Sequence, residues 1–411
     1  MNLLLILLLA LPLFAVAAND AKNRDRNNGI PPQVVQHGFI SVDKRWCSFY
    51  PQLPFCPGSG VTVTTRQAPP PGMGWVPVDW CKLIPLLCPG GPTTPPPNGL
   101  TPVSDFGSNP GNLDAFKYVP QDSSPSPRPL VVALHGCTQT ASDYFDAPGW
   151  KKFADKFHFV LLLPQQKPEN HQFRCFRWFD PDHNERGKGE ALSIKQMIDK
   201  VNADSNIDPK RIYVTGLSGG GAMTAVMLAT YPDVFAGGGI VAGIPFKCAN
   251  SGANSEDEAQ HKCGVLNGNK MATEKKNMTP VQWGDLVRHA SNATGSFPIP
   301  ILIWQGDADI TVDPQNETEL MKQWTNVDGI DQAPEKTETL NDNTNHPVTH
   351  KVFSDSAGKP WVETFLVGGM THGTPIDPGT ANNQCGTAAP FILNVGICSS
   401  FYIAKFWGLI P

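Results

Sequence analysis

Six short, nearly continuous apolar runs alternate with stretches of helix formers from about residue 106 onward, and no other feature limits the fold as much. The runs are LVVALHG (130–136), FVLLLP (159–164), RIYVTG (211–216), GGGIVAG (237–243), PILIWQG (300–306) and WVETFLVGG (361–369). Between them EALSIKQMIDKVNAD, GGAMTAVMLATYP, TPVQWGDLVRHASN and NETELMKQWTN read as helices. A strand that is apolar on both faces must be covered on both faces. The pattern therefore predicts an α/β fold with a mostly parallel sheet between two helical layers. Ligands meet such sheets at the carboxyl ends of the strands, so the residues just past each run are the ones to inspect.

Four of those ends carry chemistry. After RIYVT comes Gly216-Leu217-Ser218-Gly219-Gly220, a G-x-S-x-G elbow with a strand before it and a helix after it. After PILIWQ, the string GDADITV offers Asp309, with Asp307 as its local rival. Gly306, Asp309 and Val312 hold the spacing of the acid turn in α/β-hydrolases, which favours Asp309. After WVETFLV, the string GGMTHGTP places His372 in a glycine-bordered loop. Ser218, Asp309 and His372 follow the Ser, Asp, His order of α/β-hydrolases. A hydroxyl becomes an effective nucleophile only when a base takes its proton, and an imidazole titrating at about 6.5 can do that and return the proton to the leaving group. The carboxylate then fixes the ring tautomer and stabilises the imidazolium. The fourth end, LHGCTQT, supplies the oxyanion loop: the backbone N–H groups of Cys137 and Gly219 are the expected donors, and His135 is read as structural. One such donor is worth about 3 kcal/mol in the transition state.

PLVVALHGCTQTASDY, LLLPQQ, RCFRWFD, RGKGEALSIKQMID, the RIYVTGLSGGGAMTAVMLATYPDVFAGGGIVAGIPFKCA segment and FYIAKFWGL recur in order. With these strings the chain resembles the secreted polyhydroxybutyrate depolymerase family of esterases across roughly residues 116–408. The resemblance implies an α/β-hydrolase domain that cleaves ester bonds of hydroxyalkanoate polymers or oligomers without metal or cofactor. It carries nucleophile, acid and base onto Ser218, Asp309 and His372, and an oxyanion amide onto Cys137. It pairs Cys137 with Cys175, Cys248 with Cys263, and Cys385 with Cys398, against the rival reading of Cys137 as a free, reactive thiol. It makes Trp178 a substrate-contacting aromatic. Arg177 stands where the family often has Asn, and Gly219 where it often has Ala. Feruloyl and acetylxylan esterases share the fold and the elbow, so an acyl-carbohydrate esterase is the alternative. A catalytically inactive secreted binding protein is a third reading, which the intact Ser, Asp, His set opposes.

The amino-terminal quarter differs in composition. Residues 1–18 form an apolar run ending in an A-x-A pattern at Ala15–Ala17, expected to be a cleaved secretory signal rather than a membrane anchor. Residues 19–45 are polar and expected to be flexible. Residues 46–91 hold an internal repeat, RWCSFYPQLPFCPG and DWCKLIPLLCPGG, in which Cys47 and Cys56, and Cys81 and Cys88, could each close a small loop. A zinc site is the alternative, without C-x-x-C spacing or a nearby His to support it. Residues 92–105 read as a Pro-rich linker to a catalytic domain at 106–411. Ten cysteines, an even number, suit an oxidising compartment. Sequons at Asn277, Asn292 and Asn316 are possible glycan acceptors. A net charge of -5 gives no basic footprint for nucleic acid or anionic lipid, so the expected partner is an ester substrate; oligomeric state is not encoded legibly.

Overall fold

All six apolar runs become neighbouring strands at the centre of one sheet. The structure, a computed structural model, describes residues 99–121, 127–252, 255–265, 276–290, 298–340 and 345–411. In chain order the elements are β1 (Thr101–Pro102), β2 (Asp114–Tyr118), β3 (Arg128–Leu134), α1 (Ala141–Asp146), α2 (Trp150–Phe157), β4 (Val160–Gln165), α3 (Gly189–Ser205), β5 (Ile207–Leu217), α4 (Gly219–Thr230) and β6 (Gly237–Val241). There follow α5 (Ser255–Lys262), α6 (Pro280–Ala290), β7 (Ile301–Gly306), α7 (Gln315–Asp328), β8 (Lys336–Leu340), β9 (Val348–Ser354), β10 (Pro360–Val367), β11 (Thr374–Ile376), β12 (Ile392–Asn394) and α8 (Ser399–Phe406).

The 10-stranded sheet has the order β1-β2-β4-β3-β5-β6-β7-β10-β9-β8. Strands β4, β3, β5, β6, β7 and β10 run parallel, and antiparallel pairs close both edges. Side chains alternate across a strand. Leu130, Val132 and Leu134 of β3 accordingly join a core with Ile194 of α3, Met223 of α4, Trp283 of α6 and Leu320 of α7. Val131 and Ala133 join the opposite core with Tyr144 of α1, Phe153 of α2 and Ile403 of α8. Full burial of each such side chain is worth roughly 1.5–3 kcal/mol, which is why every central strand reads apolar along its whole length. Helix α4, behind Ser218, is buried at all 12 positions and has no polar face.

The edges depart from the sequence reading. The antiparallel strands β2, β8 and β9 and the helices α1, α2, α5 and α8 were not expected; β8 (KTETL) and β9 (VTHKVFS) carry polar residues on an exposed edge, so neither shows an apolar run. On that edge His350 donates from Nδ1 to Glu338 of β8 and from Nε2 to Glu363 of β10, each at 2.9 Å. Its ring stacks on Phe365, which stacks on Trp304, each pair 4.2 Å between centroids. The sheet also begins inside the stretch read as linker: β1 pairs with β2, and Leu100 and Val103 are buried. Asn316 is a further correction. It is 5% exposed and its amide donates to Cys263 O and Asp313 O at 3.0 Å, so its sequon offers no acceptor in the folded chain. The readings placed on residues 1–98, including Cys47, Cys56, Cys81 and Cys88, and the sequon at Asn292, lie outside the described residues.

Candidate active site

Ser218 is the single residue between β5 and α4. Its backbone sits at φ 57°, ψ -119°, a conformation that L-residues avoid, and its N–H donates to Val241 O at 2.9 Å. Such strain costs on the order of 1–3 kcal/mol and persists only where the surroundings enforce it. Enforcement is visible at Gly220, where a Cβ would lie 2.2 Å from Leu134 O: the helix can cross the end of β3 this closely only without a side chain.

Asp309 and His372 meet beyond the ends of β7 and β10. His372 Nδ1 and Asp309 Oδ2 are 2.7 Å apart, with both side chains buried. The carboxylate is held from several sides: Oδ1 accepts from Thr311 N (2.8 Å) and Val312 N (2.9 Å), and Oδ2 also accepts from Gln305 Nε2 (3.0 Å). Occupation of Nδ1 by the carboxylate leaves Nε2 as the proton acceptor. The histidine loop lies directly on Gly306, where a Cβ would be 2.2 Å from Met370 O. Asp307, the rival acid, instead accepts from Gly369 N at 2.6 Å and braces the same loop from an exposed position.

No hydrogen bond joins Ser218 Oγ to His372 among the described residues; catalytic contacts of this kind are often loose before substrate binds. A closed circuit of neighbours nevertheless ties the two. A Cβ on Gly136 would lie 3.4 Å from the Leu217 side chain, next to Ser218. Gly136 N donates to Gln139 Oε1 at 2.9 Å, and Gln139 Nε2 donates to Pro390 O at 3.1 Å. The next residue, Phe391, sets its ring edge against the His372 imidazole, 5.9 Å between centroids.

Cys137 is bonded to Cys175, so it is not a free thiol; Cys248–Cys263 and Cys385–Cys398 are bonded likewise. The Cys137 Sγ lies 3.0 Å from where a Gly219 Cβ would be, so both expected oxyanion donors belong to one small region. Gly219 opens α4, where N–H groups lack helical partners. An Ala at 219 would press on that cystine.

Beneath the Gly136–Cys137 turn runs a buried polar network that the sequence reading did not assign. His135 Nδ1 pairs with Gly136 O (2.8 Å) and its Nε2 accepts from Gln166 N (3.1 Å), which fixes a neutral ring; burial holds its pKa down, to about 4. The Gln166 amide donates to Cys175 O (3.1 Å) and to Glu190 Oε1 (2.5 Å), and Arg177 N donates to Glu190 Oε2 at 2.7 Å. Burial pushes the Glu190 carboxyl up to about 8, against these donors. The Arg177 guanidinium is engaged by Asp180 and by His183 Nε2. Trp178 is 5% exposed and packs edge-on against Phe179, 5.5 Å between centroids, within the core. The signal for this network was a set of polar residues, His135, Gln166 and Glu190, embedded in otherwise buried stretches.

The parallel sheet and its covering helices define the α/β-hydrolase fold, and the relatives make the chain a serine carboxylic ester hydrolase. Within that class the chain belongs to the Esterase PHB depolymerase family, which matches residues 113–339. It is 48% identical over 311 residues to poly(3-hydroxyalkanoate) depolymerase C of Paucimonas lemoignei, covering 76% of this chain and 70% of that protein. An acetylxylan esterase of Coprinopsis cinerea is 34% identical over 325 residues, covering 77% of this chain and 80% of that protein. Among solved structures, the acetyl xylan esterase from Aspergillus awamori superposes with a TM-score of 0.58 at 26% identity, covering 76% of this chain and 100% of that one.

Proposed function

We propose that the protein is a secreted serine esterase hydrolysing polyhydroxybutyrate-type polyester or its oligomers, with Ser218 as nucleophile, His372 as base and Asp309 as acid. The observation that carries this reading is the 2.7 Å Asp309–His372 hydrogen bond beyond β7 and β10, strands of the same parallel sheet whose β5 leads into the Ser218 elbow. His372 Nε2 takes the Ser218 proton as Oγ attacks the ester carbonyl. The oxyanion of the tetrahedral intermediate lies against the Cys137 and Gly219 N–H groups. The imidazolium returns its proton to the departing alcohol, leaving an acyl-enzyme. Water, deprotonated by the same imidazole, then releases the hydroxy acid and restores Ser218. Four donors converge on the Asp309 carboxylate and hold it against the ring.

The similarity to a poly(3-hydroxyalkanoate) depolymerase at 48% identity favours a hydroxyalkanoate ester as substrate. The acetylxylan esterase relative at 34% identity supports the second reading, an acyl-carbohydrate esterase. Soluble product released from hydroxybutyrate oligomers and polyester film, measured beside that from acetylated and feruloylated xylan, separates the two. In the first reading residues 1–18 are removed on export and the catalytic unit is residues 106–411. Ser218→Ala is expected to lower kcat by roughly 10³-fold or more with its thermal transition preserved. Retained turnover would show another nucleophile.

A further inference from the structure

We propose that Gln139 is a positioning residue for ester hydrolysis: its amide bridges the oxyanion loop to the cystine-closed 385–398 loop that carries Phe391 onto His372. The proposal rests on the Ser218, His372, Asp309 reading above and assigns a residue that acts through both halves of that site.

Donors and acceptors around Gln139 leave its amide one orientation. Oε1 accepts from Gly136 N at 2.9 Å, and Nε2 donates to Pro390 O at 3.1 Å, 251 residues away in sequence. The side chain is 5% exposed, so water does not substitute readily for either contact. On one side the Gly136 amide immediately precedes Cys137, and Gln139 N closes the turn by donating to Gly136 O at 3.2 Å. On the other side the loop is built to hold a fixed shape. Cys385 is bonded to Cys398, and β11, two residues after His372, pairs in parallel with β12. Thr374 N donates to Phe391 O at 2.8 Å.

Phe391 has φ 63°, which a bulky side chain rarely adopts, and its ring contacts the His372 imidazole. A loop that maintains an unfavourable backbone beside a catalytic base needs an anchor. Gln139 is the contact that fastens it to the oxyanion side. Loss of the bridge lets base and oxyanion donors drift relative to each other, and misplacement by about 1 Å can cost roughly 100-fold in rate. Because both amide atoms are already taken by Gly136 N and Pro390 O, binding is affected less than turnover.

The test uses the full-length protein and p-nitrophenyl butyrate. Gln139→Glu keeps size and the acceptor but sets a carboxylate oxygen against Pro390 O. The expected result is a kcat lowered roughly 10- to 100-fold with KM changed less than about threefold. Inhibition by butylboronic acid, which forms a tetrahedral adduct on the serine, should weaken by a similar factor, whereas active-site titration still counts a full complement of serines. Gln139→Met, which lacks both polar atoms, reads the same bridge if the carboxylate impairs folding. Unchanged kcat in a folded variant, or a loss explained wholly by fewer titratable sites, overturns the proposal. Ser218→Ala separates its failure from that of the underlying reading: an inactive Ser218→Ala beside a fully active Gln139→Glu sinks the bridge alone, whereas an active Ser218→Ala sinks the nucleophile.

Discussion

His135 and His350 are both largely buried histidines in polar clusters, one beneath the oxyanion loop and the other on the β8–β9–β10 edge, yet their neighbours give them opposite charge preferences. Around His135 a backbone carbonyl takes one ring hydrogen and a backbone N–H fills the other nitrogen, so the ring has no place for a second proton. Burial reinforces this and holds the pKa down. Around His350 burial again works against the charge, but the hydrogen bonds it donates to Glu363 and Glu338 outweigh it and raise the pKa. Burial alone does not decide the charge of a histidine; the polarity of the two groups it faces does. The region next to the chemistry is built to stay neutral and fixed, and the far edge is built around an ion pair.

The largest expected effect comes from removing the acceptor at the bottom of the His135 network. Glu190→Ala strands the Arg177 N–H and the Gln166 amide donor in a buried site and should cost roughly 3–5 kcal/mol, read as a lower urea midpoint at unchanged slope. A loss under 1 kcal/mol would mean the network contributes little to the fold. Next comes the acid limb of stability. The folded pKa of His135 is about 4 against about 6.5 unfolded, so the unfolded chain binds the extra proton first and stability falls as pH drops through that window. The contribution is about 3 kcal/mol, and in His135→Gln the difference from wild type should shrink between pH 6.5 and 4. The smallest effect belongs to His350, whose raised pKa gives the reverse sign: its stabilising contribution is complete below about 6.5 and fades as pH rises through the folded value. His350→Gln should therefore be destabilised more at pH 6 than at pH 9 in paired denaturation curves. A larger penalty at pH 9 would contradict the ion-pair account.

The centre of this molecule was legible because its physics is local. Uninterrupted apolar runs such as FVLLLP and PILIWQG report double-sided burial, and Gly216 to Gly220 report a tight crossing that the structure shows in the 2.2 Å approach of a Gly220 Cβ to Leu134 O. Residues just past those runs were accordingly easy to single out, and Asp309 and His372 do meet. The edges were not legible, because β8 (KTETL) and β9 (VTHKVFS) are short and rich in polar residues, as loops are. Gln139, Gln166 and Glu190 were opaque for a different reason. Each makes its contact to atoms 3 to 251 residues away, and a polar residue within an apolar neighbourhood looks the same in sequence whether it holds a loop or merely faces water. Trp178, by contrast, looked like a ligand contact and packs in the core.

The cystine between Cys137 and Cys175 lies against Gly219, so the shape of the turn that opens α4 depends on an oxidation that intracellular thiols reverse. A reduced chain would keep Ser218 in place yet lose the brace beside Gly219. The same covalent strut thus ties the local shape of the elbow to the redox state of its surroundings.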